Sequence, residues 1–302
     1  ANRISSPSPL PEIAIVGIDD ASVIALGEGP WPNDIHARLI DRLAAAGAKT
    51  IVYTPYLTAE HQNAGLAYVR KIRQALATSP DGSPLAAEVS AIASEADAAL
   101  DTDARLASAI QKAGNVLLAS RYADTGTPTP LPAYAARSTL PDPGAYATPV
   151  QSAQHPAAAF GAVSAGVGHW YAEADADGEV RQIPLLLHYD NAGAPALALL
   201  AAQHSLHLST SDLRIQAAPL GLVVGGLHIP TSSAAVMRPR VQVLPEGPAF
   251  PTFSFAEVLE GKTPPSTFKG KLVLVGTSSG TFPAPGLPRS NAIASPIELL
   301  AQ

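Results

Sequence analysis

Three short apolar runs, Ile13-Ala-Ile-Val-Gly-Ile18, Thr50-Ile-Val-Tyr53 and Lys271-Leu-Val-Leu-Val275, most constrain what this chain can fold into. They are rich in β-branched residues and read as buried strands, the last being the cleanest of the three. Between the first two lies a Pro/Gly segment with Trp31-Pro32, then a helix that Asn33 or Asp34 can cap. Its apolar positions Ile35, Leu39, Ile40 and Leu43 keep helical spacing, and Gly47 closes it. Residues 13–57 therefore read as a βαβ unit with a right-handed crossover and parallel strands.

From 63 to 113 the chain is alanine-rich, with one turn signal at Ser79-Pro80-Asp81-Gly82, and two or three helices are expected. Leu85, Val89, Ile92, Leu100, Leu106 and Ile110 form one apolar face of a broken helical segment, suited to covering a sheet or pairing with a partner. Val116-Leu-Leu-Ala119 is a third core strand after the Gly114-Asn115 stop. The proline-dense stretch 124–158 is an irregular connection. Beyond it, Ala162–Ala165, Gly178–His188 and Leu220–Ile229 read as short strands in antiparallel hairpins, with helices at Pro195–Leu206, Phe253–Glu260 and Pro296–Gln302. The fold class is α/β: a mixed, mainly parallel central sheet flanked by helices, with antiparallel hairpins in the middle of the chain. The expected organisation is a single domain over 1–302, divided into 12–119, 120–250 and 251–302.

Composition narrows the function. At 302 residues and 47% hydrophobic, the chain can bury a sizeable core. Its 19 basic against 25 acidic residues give a net charge of −6, which argues against a nucleic-acid partner. No cysteine is present, so disulfides, thiolate nucleophiles, zinc fingers and iron–sulfur ligation are excluded. No apolar stretch approaches the roughly 18–20 residues of a membrane-spanning helix, and Ala1–Pro11 lacks the apolar core of a secretory signal. The chain reads as a soluble piece of something longer.

Motif by motif, reactive chemistry finds no support. Gly276-Thr-Ser278-Ser-Gly280 matches the G-x-S-x-G elbow of α/β hydrolases, but Pro283, Pro285 and Pro288 forbid the following helix and no Asp or His follows Ser278. As a phosphate cradle the same loop lacks the P-loop lysine. Glu173-Ala-Asp175-Ala-Asp177-Gly178 resembles the front of a calcium loop, but the twelfth position is Pro184 rather than Glu, so a turn joining Tyr171 to Ile183 is expected. Asp19 and Asp20 stand at the carboxyl end of the first strand, where open α/β sheets place ligand groups and where a helix cap is equally at home. The eight histidines are scattered, His204 and His207 alone sharing helical spacing, and are expected at the surface. No catalytic residue, metal or cofactor is assigned, which favours a binding or structural module over an enzyme.

The order of the pieces adds a resemblance. The strand Ile13–Asp20, the turn Pro30-Trp31-Pro32, the stretch Leu43–Lys49 and the strand Thr50–Tyr53 are similar to the opening of the CHASE type-two family of extracellular sensor domains. Asp175, Asp177, Gly178, Arg181, Pro184 and Leu185 match its D-x-D-G-x-x-R segment and P-L strand, and Phe253–Leu259, Gly261 and Phe268–Thr277 its closing stretch. The resemblance implies a periplasmic input domain of a bacterial membrane receptor, flanked by membrane helices and feeding a cytoplasmic cyclase, phosphodiesterase or kinase. Its signal is then an unknown small molecule or periplasmic protein, with ligand contacts expected at Asp19, Asp20, Trp31, Thr277, Ser278 and Ser279. The alternative is a protein-interaction module, a homodimer joined through 63–113. Where the family carries Arg after its W-P this chain has Asn33, where it carries an acidic residue after the second strand this chain has Thr54, and Thr281–Pro285 replaces a common Asp. If the family's pocket uses those charges, this chain takes something less polar, or nothing.

Overall fold

The computed structural model describes residues 11–60, 63–78, 83–172, 180–239, 250–278 and 296–301. Its centre is a seven-stranded sheet of β1 (Ile13–Ile18), β2 (Thr50–Tyr53), β3 (Val116–Ala123), β4 (Ser152–Gln154), β5 (Gly166–His169), β6 (Thr252–Ser254) and β7 (Leu272–Thr277). The order is β6-β1-β7-β2-β3, after which β3 pairs with β5 in parallel and, at its outer end, with antiparallel β4. The two strands of the expected βαβ unit are parallel members of one sheet but not neighbours. β7 runs between them, in register with β1 from Ile13↔Leu272 to Ile18↔Thr277 and with β2 from Leu272↔Thr50 to Val275↔Tyr53. Its Val273, Leu274 and Val275 are buried on both faces, as the most apolar strand of the chain should be.

The pleat sends alternate side chains to two separate cores. On one face, Val16, Ile51, Tyr53, Leu118, Val273 and Val275 pack under α2 (Asn33–Ala45), α5 (Thr102–Ala113) and α7 (Phe255–Glu260). On the other, Ile15, Val52, Leu117 and Leu274 pack against α6 (Leu197–Ser205) and α8 (Pro296–Ala301). Full burial of each such side chain stabilises the fold by about 1.5–3 kcal/mol. Two further helices, α3 (Ala64–Thr78) and α4 (Pro84–Leu100), form a hairpin beside α5, and a short α1 (Asp20–Leu26) follows β1.

The middle of the chain forms antiparallel layers. Leu186–Tyr189 turns back through Asp190-Asn191, both at positive φ, into Ala192–Pro195, and Leu213–Ala217, Leu220–Val224 and Leu227–Pro230 make a three-stranded meander. Four local expectations need correction. Ala162–Ala165 is not a strand: the chain turns there, and the strand is β5, parallel and in the main sheet. Its Gly168 is needed because a Cβ would stand 2.9 Å from Leu200 Cδ1 and 3.0 Å from the Pro195 carbonyl. The run Gly178–His188 divides, Ile183–Pro184 pairing with Val236–Met237 and Leu186–Tyr189 with Ala192–Pro195; residues 173–179, with the expected turn at Gly178, lie outside the described residues. Phe253 belongs to an edge strand paired with Val16, so the helix opens at Phe255. Neither Asn33 nor Asp34 caps α2; Pro32 precedes it, and the buried Asn33 amide donates to Asp103 Oδ1 on α5.

Candidate functional site

In open α/β sheets ligands gather beyond the carboxyl ends of the strands. Here that edge splits into two polar clusters. The first holds the residues expected from sequence, at the ends of β1 and β7. Asp19 is the N-cap of α1: its Oδ1 accepts from the Ser22 amide (2.8 Å), the Ser22 hydroxyl (2.5 Å) and the Ser254 hydroxyl (2.9 Å). Ser22 Oγ in turn accepts from the Ala256 amide (3.1 Å), so the cluster ties α1 to the start of α7. Asp20 is exposed in the first turn of α1, where a carboxylate favours the helix dipole. Thr277 pairs with Ile18, and the Ser278 amide donates to the Ile18 carbonyl (3.1 Å). The Ser278 side chain lies in the space that a Cβ on Gly17 would take, which explains the glycine and directs the hydroxyl onto the sheet.

Trp31 is a core residue. Its ring sits 4.9 Å from Phe255, its indole N–H donates to the Gly27 carbonyl (2.8 Å), and it is 6% exposed. Beneath it the buried His36 bonds the Tyr53 hydroxyl, whose proton burial holds well above the usual phenol range. Thr54, at the acidic position of the family pattern, donates to the Val275 carbonyl (2.9 Å), and Gly276 leaves room for it. Ser279 and the calcium-like segment 173–178 lie outside the described residues. Asp19, Thr277 and Ser278 are thus brought together, Asp20 and Trp31 stand apart from them, and Asp19 Oδ1, the Ser22 hydroxyl and the Ser278 amide are taken up by bonds within the fold.

The second cluster was not anticipated. It forms where the outer ends of β3 and β5 meet the hairpin strand Leu186–Tyr189. Tyr122 stands edge-on to His155 (5.7 Å between ring centres), His169 (6.1 Å) and Tyr189 (5.4 Å). The Tyr171 amide donates to His169 Nδ1 (3.2 Å), which leaves the proton of the neutral ring on Nε2. Ser120 Oγ, fully buried, lies 2.9 Å from His155 Nδ1; with the serine proton directed there, His155 also carries its own proton on Nε2. Both Nε2 atoms are buried, with no hydrogen-bond partner among the described residues. Burial lowers the imidazole pKa to about 4 at His155 and about 3 at His169, so both rings are neutral at pH 7. Burial, then Tyr189, pushes the Tyr122 phenol far up.

This corrects the expectation of surface histidines: His169 is 1% exposed and His36 8%. The one signal for His169 was its place after Gly166-Val-Gly, a strand read one element too early. His155 lay in a proline-dense stretch with no pattern to mark it. Two neutral imidazoles amid phenol rings can donate to a carbonyl, carboxylate or water, and among the described residues no group of three His, Asp or Glu could hold a metal ion. Nor is any described helix long and apolar enough to cross a membrane. A family model described as CHASE2 domain matches residues 1–298. No curated protein and no solved structure matches the chain.

Proposed function

The chain belongs to the CHASE2 domain family, an extracellular sensory family, and from that premise we propose that it is the periplasmic signal-sensing domain of a bacterial transmembrane receptor. Membrane helices outside residues 1–302 hold it, and a cytoplasmic diguanylate cyclase or phosphodiesterase, adenylate cyclase or kinase is its output. The signal enters at the His155–His169 cluster rather than at Asp19 and Ser278. The observation that carries this reading is the pair of buried Nε2 atoms around one tyrosine ring, neither with a partner among the described residues. An unmet buried donor costs about 1–3 kcal/mol, and folded chains rarely leave two together. Phenol and imidazole rings with neutral N–H donors suit a small aromatic or apolar molecule bearing a carbonyl or carboxyl oxygen. The cluster also joins the parallel sheet to the hairpin layer through Tyr122 and Tyr189, so a ligand that favours one arrangement of the two layers shifts the output by its differential affinity.

Thermal unfolding with benzamide, benzoate and acetate as probes tests this. At least one should raise the melting temperature of the wild type by about 2 °C or more, and His169→Phe should abolish the rise. Silence from all three in the folded protein, or a rise that survives both His169→Phe and His155→Phe, overturns the assignment. A protein-interaction role is the second reading, favoured by the exposed apolar residues of α3 and α4.

A further inference from the structure

We propose that the outer face of the α3/α4 hairpin is a self-association surface for a second copy of this chain, each α3 lying over the partner's α4. The inference stands apart from the ligand assignment and needs no occupant at His155 and His169.

The hairpin is antiparallel: Gly65 at the start of α3 lies beside Leu100 at the end of α4, and Arg70 bonds both Asp97 and Asp101. Its buried residues are Leu66 and Ala93. Tyr68, Ile72, Leu85, Val89 and Ile92 are all exposed, by 36% at Val89 and up to 68% at Tyr68 and Leu85. Tyr68 precedes the half-buried Val69; Leu85, Val89 and Ile92 each precede an inward residue, Ala86, Ser90 and Ala93. One residue is about 100° around a helix. An equal turn in the same sense on two antiparallel helices brings both apolar stripes to one face. The opposite face is polar: Arg73, Ser94 and Asp97 line a cleft of about 550 Å³ shared with Arg38, Asp41 and Arg105 of α2 and α5. The apolar face therefore points away from the body of the domain.

Charge selects the occupant. Lys71, 5.6 Å over the Tyr68 ring, edges the apolar face on α3, and Glu88 and Glu95 edge it on α4. The Arg70–Asp97 bond sets Lys71 level with Glu95 across the hairpin. A two-fold axis parallel to the helices lays α3 on the partner's α4 at the same height and sets Lys71 against Glu95 of the partner subunit. The crosswise two-fold would place α3 on α3 and bring like charges together. The surface is thus complementary to itself in one orientation, as a two-fold interface requires. Helices of 15 and 17 residues span about 22–25 Å, and a two-helix face covers roughly 500 Å². Two such faces bury about 1,000 Å², the scale of a weak, concentration-dependent association.

Sedimentation equilibrium of the 302-residue chain from about 1 to 300 µM, the range in which such an interface dissociates, provides the test. The wild type should form a reversible dimer. Leu85→Glu with Ile92→Glu should leave a folded monomer, with unchanged circular dichroism because both sites are exposed. Lys71→Glu should weaken the dimer at least about fivefold by placing like charges together, and Lys71→Glu with Glu95→Lys should restore it. A wild type monomeric throughout, a dimer indifferent to the paired glutamates, or a double charge exchange without recovery would each overturn the proposal.

Discussion

Helices α4 and α5 adjoin at Asp101, which ends one and caps the other. Both are alanine-rich and both carry large apolar residues at helical spacing. Their fates differ: α5 buries Leu106, Ala109 and Ile110 against α2 and the sheet, whereas α4 buries Ala93 and leaves Leu85, Val89 and Ile92 in solvent. The cause lies in what each helix is tied to. Gly114 and Asn115 turn α5 directly into β3, and the Asn115 amide holds the Ala48 carbonyl (2.8 Å), so α5 must lie on the sheet beside α2. α4 instead packs on α3, held by Arg70 and Arg73 against Asp97 and Asp101. An apolar stripe states that a helix face seeks cover, and topology supplies the cover for one of these helices alone.

The contrast breaks most readily at one residue on each helix. Leu106→Ala should cost about 2–5 kcal/mol in urea unfolding, because it leaves a cavity in a fully buried site. Ile92→Ala should stay within about 0.5 kcal/mol, as at other exposed sites. Equal costs would mean that α4 is as much core as α5.

Acid sharpens the comparison, because the neutral histidines belong to the sheet and residues 64–100 contain none. A histidine whose folded pKa is depressed contributes fully above its unfolded value of 6.5 and loses that contribution as pH falls toward the folded value. For His169 each pH unit between 6.5 and about 3 removes up to about 1.4 kcal/mol. The partly exposed His155 adds less, down to about pH 4. Stability from pH 7 to 4 should therefore fall steeply in the wild type and less so in His169→Gln, which cannot take the proton. Matching slopes in the two proteins would mean that His169 does not titrate as a buried neutral ring.

The smallest effect is expected from Arg70→Ala. Its carboxylate partners are near the surface, so amide exchange should quicken within α3 and α4 only, and high salt should produce the same change in the wild type. Quickened exchange in β3 or α2 would show the hairpin to be coupled to the core.

Much of the sheet was legible. Ile13–Ile18, Thr50–Tyr53, Val116–Ala119 and Leu272–Val275 are strands as read, and of the apolar positions of α2 Leu39, Ile40 and Leu43 are buried and Ile35 half-buried, with Asn33 and His36 buried beside them. The site was legible only in part. Asp19 stands at a strand end as read, but the bonds from Ser22 and Ser254 that make it a cap come from residues 3 and 235 positions away. His155 carried no local mark and His169 only its place at the end of a short strand, since an imidazole joins no periodic pattern and its burial depends on Tyr122 and Tyr189 arriving from other elements.

The amino-acid order by itself determined the strands β1, β2 and β7 and the first half of β3, the stop of α5 at Gly114 and that no thiol chemistry is possible, because β-branching, glycine and composition act within a few residues. Only the tertiary structure decided that the last strand enters between the first two, that two histidines end up neutral with their Nε2 atoms buried, and that one alanine-rich helix is covered while its neighbour is not. These outcomes rest on contacts between parts of the chain up to 259 positions apart, as Ile13↔Leu272 is, and short-range preferences carry no information about such pairings.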